Sequence, residues 1–131
     1  MTTIATTPAR NFERALVWEL IASSGSSSAV HGLRVAVAGE FLLMQELSRN
    51  ERPRWTVEQH ANREVAVERA LAVTRYTEDT YGATLVADPT EVILHDSELR
   101  AMKPGEPIPA SLRARFYTAL QRRRHSADAS R

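Results

Sequence analysis

His60, Glu64 and Glu68 follow one another at four-residue intervals, a spacing that stacks three side chains on one face of a helix. An imidazole and two carboxylates so placed can hold a divalent metal when a facing helix adds ligands. No second ligand set is evident, and Arg63 and Arg69 stand close enough for ordinary surface ion pairs with these acids. A metal-binding protein or enzyme centred on His60 is therefore the third-ranked reading. His95, Asp96, Ser97 and Glu98 supply a base, a hydroxyl and two acids, yet chain neighbours seldom achieve a base oriented by a third group. His31 and His125 read as a helix-surface residue and a tail residue. There is no G-x-x-x-x-G-K-[ST] loop, no G-x-G-x-x-G and no H-E-x-x-H. No catalytic residue, cofactor or small-molecule substrate is assigned.

The remaining candidate chemistry is anion recognition. Arg113, Arg115, Arg122, Arg123 and Arg124 cluster around the aromatic Tyr117, a composition that can neutralise phosphates while the ring stacks on a base. The same cations would also suit a helix C-terminus, where they oppose the macrodipole. A pI near 8.3 is modest for a dedicated nucleic-acid domain. The charge is nonetheless strongly sorted. Residues 78–106 carry seven acids against Arg100 and Lys103, whereas residues 107–131 carry six arginines against Asp128 alone. Sorting of this kind bears on association and polyanion binding rather than on fold. Sixteen arginines accompany the single Lys103, and because they are scattered throughout, codon bias accounts for them better than selection for the guanidinium fork.

The elements that must position these groups read mainly as helices. Thr7 and Pro8 look like the start of a first helix over Ala9 to Ser24, with Phe12, Leu16, Val17, Leu20 and Ile21 as its apolar stripe and Gly25 as its stop. A Ser-rich hinge over Ser23 to Ser28 follows. Val30, Leu33, Val37, Phe41 and Met44 then predict a second helix from Ala29 to Ser48. Its small residues Gly32, Ala36 and Gly39 would line a face where two backbones could approach, a candidate self-association seam. Thr56-Val57-Glu58-Gln59 has the spacing of a capping box, with Trp55 before it. It predicts a third helix from Val57 to Tyr81, stopped by Gly82, that buries Ala61, Val65, Leu71, Ala72 and Tyr76.

Residues 83–96 fit a small hairpin around Asp88-Pro89 slightly better than a helix, because Val92 and Ile93 are β-branched. Lys103 to Pro109 cannot continue a helix, and a last helix follows from Pro109 to His125 with Leu112, Phe116 and Leu120 inward.

The expectation is thus one domain over residues 1–131, mainly α: a bundle of about four helices with a short β-hairpin or irregular insert before the last, and flexible ends at 1–6 and 126–131. A composition 43% hydrophobic and 25% charged is that of a globular protein and excludes disorder. No cysteine is present, which excludes disulfides and thiolate chemistry and suits a cytoplasmic protein. Nothing resembles a signal peptide or a bilayer span. The leading expectation is a non-enzymatic interaction or assembly protein, self-associating as a homo-oligomer without membrane contact. The alternative is a nucleic-acid-binding regulator using the arginine helix.

Overall fold

A computed structural model of the chain describes residues 12–22, 31–48 and 54–129. The expected Thr7-Pro8 cap, the Gly25 stop and the Ser23 to Ser28 hinge lie outside those residues. The helical bundle is overturned: the centre of the molecule is an antiparallel sheet. β1 (Phe12–Ala22) occupies the place of the first expected helix. The second expected helix is two strands, β2 (His31–Ala38) and β3 (Phe41–Ser48), and the third begins as a strand, β4 (Trp55–Gln59). Helix α1 (Arg63–Tyr81) follows, then strands β5 (Thr84–Leu85) and β6 (Thr90–His95). The short helix α2 (Asp96–Arg100) and the long helix α3 (Ala110–Ala129) complete the order.

The strands run β4-β3-β2-β1 across the sheet, with β5 and β6 both on the outer edge of β1, β6 opposite Phe12 to Val17 and β5 opposite Leu20 and Ile21. Val17, Leu43, Val57, Leu94, Leu112 and Phe116 form a core on one face, under α3. Trp18, Leu20, Val35, Leu42, Ala66 and Ala70 form a second core on the other, under α1. The sheet is therefore sandwiched.

That sandwich explains the misread elements. A strand buried on both faces loses the apolar-polar alternation that marks a half-exposed strand, and a continuous apolar run cannot be told from a buried helix by periodicity. In β1, Ala15, Val17, Trp18, Glu19, Leu20 and Ala22 are all buried. The same holds for β2 from Val35 to Ala38. β6 is covered on one face only, so Val92 and Leu94 are buried between exposed Glu91, Ile93 and His95, an alternation that fits the slight preference for strand over helix at these residues. Gly39 sits at the β2–β3 turn with φ +55°, the left-handed conformation that a tight hairpin assigns to glycine.

The capping-box reading fails for a local reason. Thr56 is mid-strand, and the true N-cap is Asn62, whose Oδ1 accepts from the Val65 N–H at 2.9 Å. The helix does stop at Gly82, with φ +64°. Its inward face is nevertheless the opposite of the one expected. Ala61, Val65, Leu71, Ala72 and Tyr76 are exposed, while Ala66, Ala70 and Thr77 lie on the sheet. Small residues let the helix axis approach the strands closely, and the larger apolar groups are left facing outward. The last helix buries Leu112, Phe116 and Leu120 as read from the sequence but runs to Ala129, past the expected end at His125 and into the end expected to be flexible. Residues 83–95 hold strands that each pair with β1 rather than with one another, so they form no hairpin. No helix among the described residues is long and apolar enough to cross a membrane.

Candidate functional site

Two polar networks stitch α3 to the rest of the molecule, and together they take up the charges that dominate the sequence. Glu19, Arg34 and Gln45 face one another across β1, β2 and β3 in direct register. Arg34 Nε donates to Glu19 Oε2 at 2.6 Å and its Nη1 to Gln45 Oε1 at 2.9 Å. From α3, Arg124 Nε donates to Glu19 Oε1 at 2.7 Å. Both oxygens of a carboxylate that is only 2% exposed are thus held by guanidinium groups. Arg34 also lies 6.0 Å from the centre of the Tyr117 ring, within cation-π range.

The second network is built on α2. Glu98 accepts from the His95 backbone N–H at 2.8 Å, closing the N-terminus of that helix. It also accepts from Ser111 Oγ at 2.8 Å and from Arg115, whose Nη1 reaches Oε2 at 2.6 Å. The Arg115 hydrogen bonds draw the Glu98 carboxyl down from the ordinary 4.5 to about 2, against the opposing effect of burial. A third tie joins Arg123 to Asp88, by a hydrogen bond to its carbonyl at 3.1 Å and a long ion pair at 3.7 Å.

These contacts relocate most of the residues singled out in the sequence. The acidic segment and the basic helix pair with each other inside one subunit, through Glu98 with Arg115 and Asp88 with Arg123. Arg115, Arg123 and Arg124 are accordingly structural ties. Arg113, Tyr117 and Arg122 remain at exposed positions, and no ion pair joins either of these two arginines to another described residue. His95 and Asp96 sit at the start of α2 rather than in a pocket, with Asp96 paired to Arg100.

His60 precedes α1 and pairs with Glu58 at 3.0 Å, whereas Glu64 and Glu68 lie exposed on the helix. The four-residue spacing therefore does not place the three on one helical face. No group of three potential metal ligands occurs among the described residues.

The small residues Gly32, Ala36 and Gly39 likewise do not form one surface. Ala36 is fully buried in the core with Leu112 and Phe116, Gly39 is at the hairpin turn, and Gly32 lies near the start of β2. A Cβ on Gly32 would stand 2.9 Å from the Leu20 carbonyl oxygen and 2.9 Å from Leu47 Cδ1. Gly32→Ala is expected to lower stability by about 1–3 kcal/mol, since a backbone atom cannot step aside. Thermal denaturation reads this directly. An unchanged melting temperature would mean that β1 and β2 are further apart than this register requires.

The surface that sequence reasoning missed is on the α1 side. Five strand positions about 4.8 Å apart make a face roughly 20 Å wide, and one helix about 10 Å across covers half of it. α1 lies over β1, β2 and β3, and the outward residues Glu91, Ile93 and His95 of β6 are exposed. Leu16, Leu71, Leu85 and Ile93 are 38–52% exposed around this half-covered face. Between α1 and β1 the gap deepens into a cavity of about 230 Å³ with Trp18 and Val37 at its floor, Val67, Leu71 and Thr74 on the helix side, and Arg63 among its walls. The Thr74 hydroxyl donates to the Ala70 carbonyl at 2.8 Å and accepts from Trp18 Nε1 at 2.9 Å, so it is fully engaged. Among the described residues Arg63 is the one ionisable group that lines the cavity. The sequence signal lay in the surplus of large apolar residues on the 57–81 segment, more than one face of α1 can bury.

No protein-family model, no curated protein and no solved structure matches this chain.

Proposed function

We propose that the protein works by association rather than catalysis, as a homodimer that closes over the bare α1-side face of β1 and β6. The observation that carries this is the set of large apolar side chains, Leu16, Leu85 and Ile93, left exposed on a face that α1 alone covers among the described helices. Contiguous exposed apolar surface of this kind marks a docking site. Arg14 and Glu91 flank it on the same face, 3.8 Å apart and both about two-thirds exposed. A two-fold interface must be complementary to itself, which a patch carrying one base and one acid satisfies and a uniformly basic one does not. That favours a second copy over nucleic acid as the occupant. The lack of cysteine suits a cytoplasmic setting.

Light scattering on a size-exclusion column tests the reading. The wild type is expected at twice the 14.6 kDa chain mass, and Ile93→Lys, at an exposed strand position, at the monomer mass with an unchanged circular dichroism spectrum. Because the seam is apolar and its rim pair exposed, the dimer should persist at about 1 M salt, where the Debye length is ~3 Å. A monomeric wild type would overturn the proposal. Co-elution with a DNA duplex would move the working surface to Arg113, Tyr117 and Arg122.

A further inference from the structure

The cavity under α1 differs from the rest of the exposed apolar face in having depth and one charged residue, the exposed Arg63, on its wall. Its volume of about 230 Å³ corresponds to roughly eight heavy atoms, taking the ~30 Å³ that a water occupies in the liquid as the measure. An apolar hole of that size opening beside a charge does not suit a water cluster, because water needs two to four polar partners and the only hydroxyl lining it, that of Thr74, is committed to Ala70 and Trp18. Arg63 is different. It makes no ion pair with any other described residue, although carboxylates stand one residue and five residues further along its own helix at Glu64 and Glu68. A guanidinium carries five donors in a planar fork that matches a carboxylate.

We propose that this cavity binds a small amphipathic carboxylate, with its apolar chain against Trp18, Val37, Val67 and Leu71 and its head group on Arg63. The ligand class follows from the two ends of the site. The apolar wall rewards each buried methylene, and the guanidinium selects an anionic head over a neutral one. A phosphate alone would leave the apolar wall unused, and a neutral hydrocarbon would leave Arg63 unpaired. The inference rests on reading this face as a binding surface, and the cavity shares Leu16 and Leu85 with the proposed seam while Ile93 lies outside it.

The test uses the two indole N–H resonances of the full chain, from Trp18 in the cavity and Trp55 in the opposite core. Titration with sodium octanoate should shift the Trp18 signal saturably and leave Trp55 in place. Octanol should bind at least tenfold more weakly, the order expected for loss of one charge-assisted hydrogen-bonded pair. Shortening the chain to hexanoate should weaken binding by roughly fourfold per methylene. Arg63→Gln should bring octanoate to the level of octanol, and Arg63→Lys should restore part of the preference. The same titration on Ile93→Lys should still saturate and still prefer octanoate to octanol, which separates this proposal from dimerisation. An unmoved Trp18 signal at millimolar octanoate overturns the site. Equal affinity for octanoate and octanol overturns the role of Arg63, and equal shifts of both indoles would mean that octanoate acts as a detergent only.

Discussion

Glu19→Ala is expected to destabilise the protein by about 3–5 kcal/mol, the cost of removing one partner from a buried ion pair. The carboxylate is almost fully enclosed, and among the described residues it is the one acid paired with Arg34 and Arg124, whose side chains are 15% and 31% exposed. Without it, two guanidinium groups are left beside Gln45, still largely desolvated and without the carboxylate that both of them bind. Glu19→Gln keeps one oxygen for one arginine and should fall between the two. Urea denaturation measures the difference as a lowered midpoint at constant slope. Arg113→Gln and Arg122→Gln, at exposed positions, should stay within about 0.5 kcal/mol of wild type. This contrast bears on function. If Glu19→Ala were as mild as the surface changes, Arg34 and Arg124 would not be tied to it, and the basic helix would be free to meet an external anion.

Glu98→Gln is expected to cost about 3 kcal/mol at neutral pH, and the loss should shrink in acid. The Arg115 hydrogen bonds lower the Glu98 carboxyl from 4.5 to about 2, and a lowering of that size is worth roughly 3 kcal/mol once the group is ionised in both folded and unfolded chains. Above pH 4.5 both forms are ionised and the stabilisation is complete. As the pH falls below 4.5, the unfolded chain takes up its proton first, so folding loses this contribution until the folded carboxyl also protonates near pH 2. Wild-type stability should therefore fall through that window more steeply than that of Glu98→Gln, and the two curves should converge near pH 2. Parallel curves would mean that Glu98 is not held by Arg115. Glu98 joins α2 to α3 through Ser111 and Arg115, so its loss should also loosen the packing of α3 on β6.

The bearing of these residues on function could not be read from their order in the chain. Arg115, Arg123 and Arg124 looked like one basic patch because they are close in sequence, yet each finds a different acid, on α2, before β6 and on β1. Glu19 and Arg124 are 105 residues apart. An ion pair of that separation leaves no local pattern. His60, Glu64 and Glu68 failed as a ligand set because their four-residue spacing has meaning only on a continuous helix, and Asn62 begins the helix after His60.

Legible in the chain alone are the elements whose signals are local: the stop of α1 at Gly82, the break over Lys103 to Pro109, and the inward Leu112, Phe116 and Leu120 of α3, whereas over residues 83–96 strand stands only slightly ahead of helix. Glycine geometry, one-sided burial and proline sterics act within a few residues, so they are written in the chain. Only the tertiary structure decided that β1, β2 and β3 are strands, since burial by α1 on one face and α3 on the other erases the period of two that would identify them. It also decided which half of the sheet stays uncovered. One helix is too narrow to span five strands, and where it lies depends on the close approach allowed by Ala66 and Ala70, a packing choice made between distant segments.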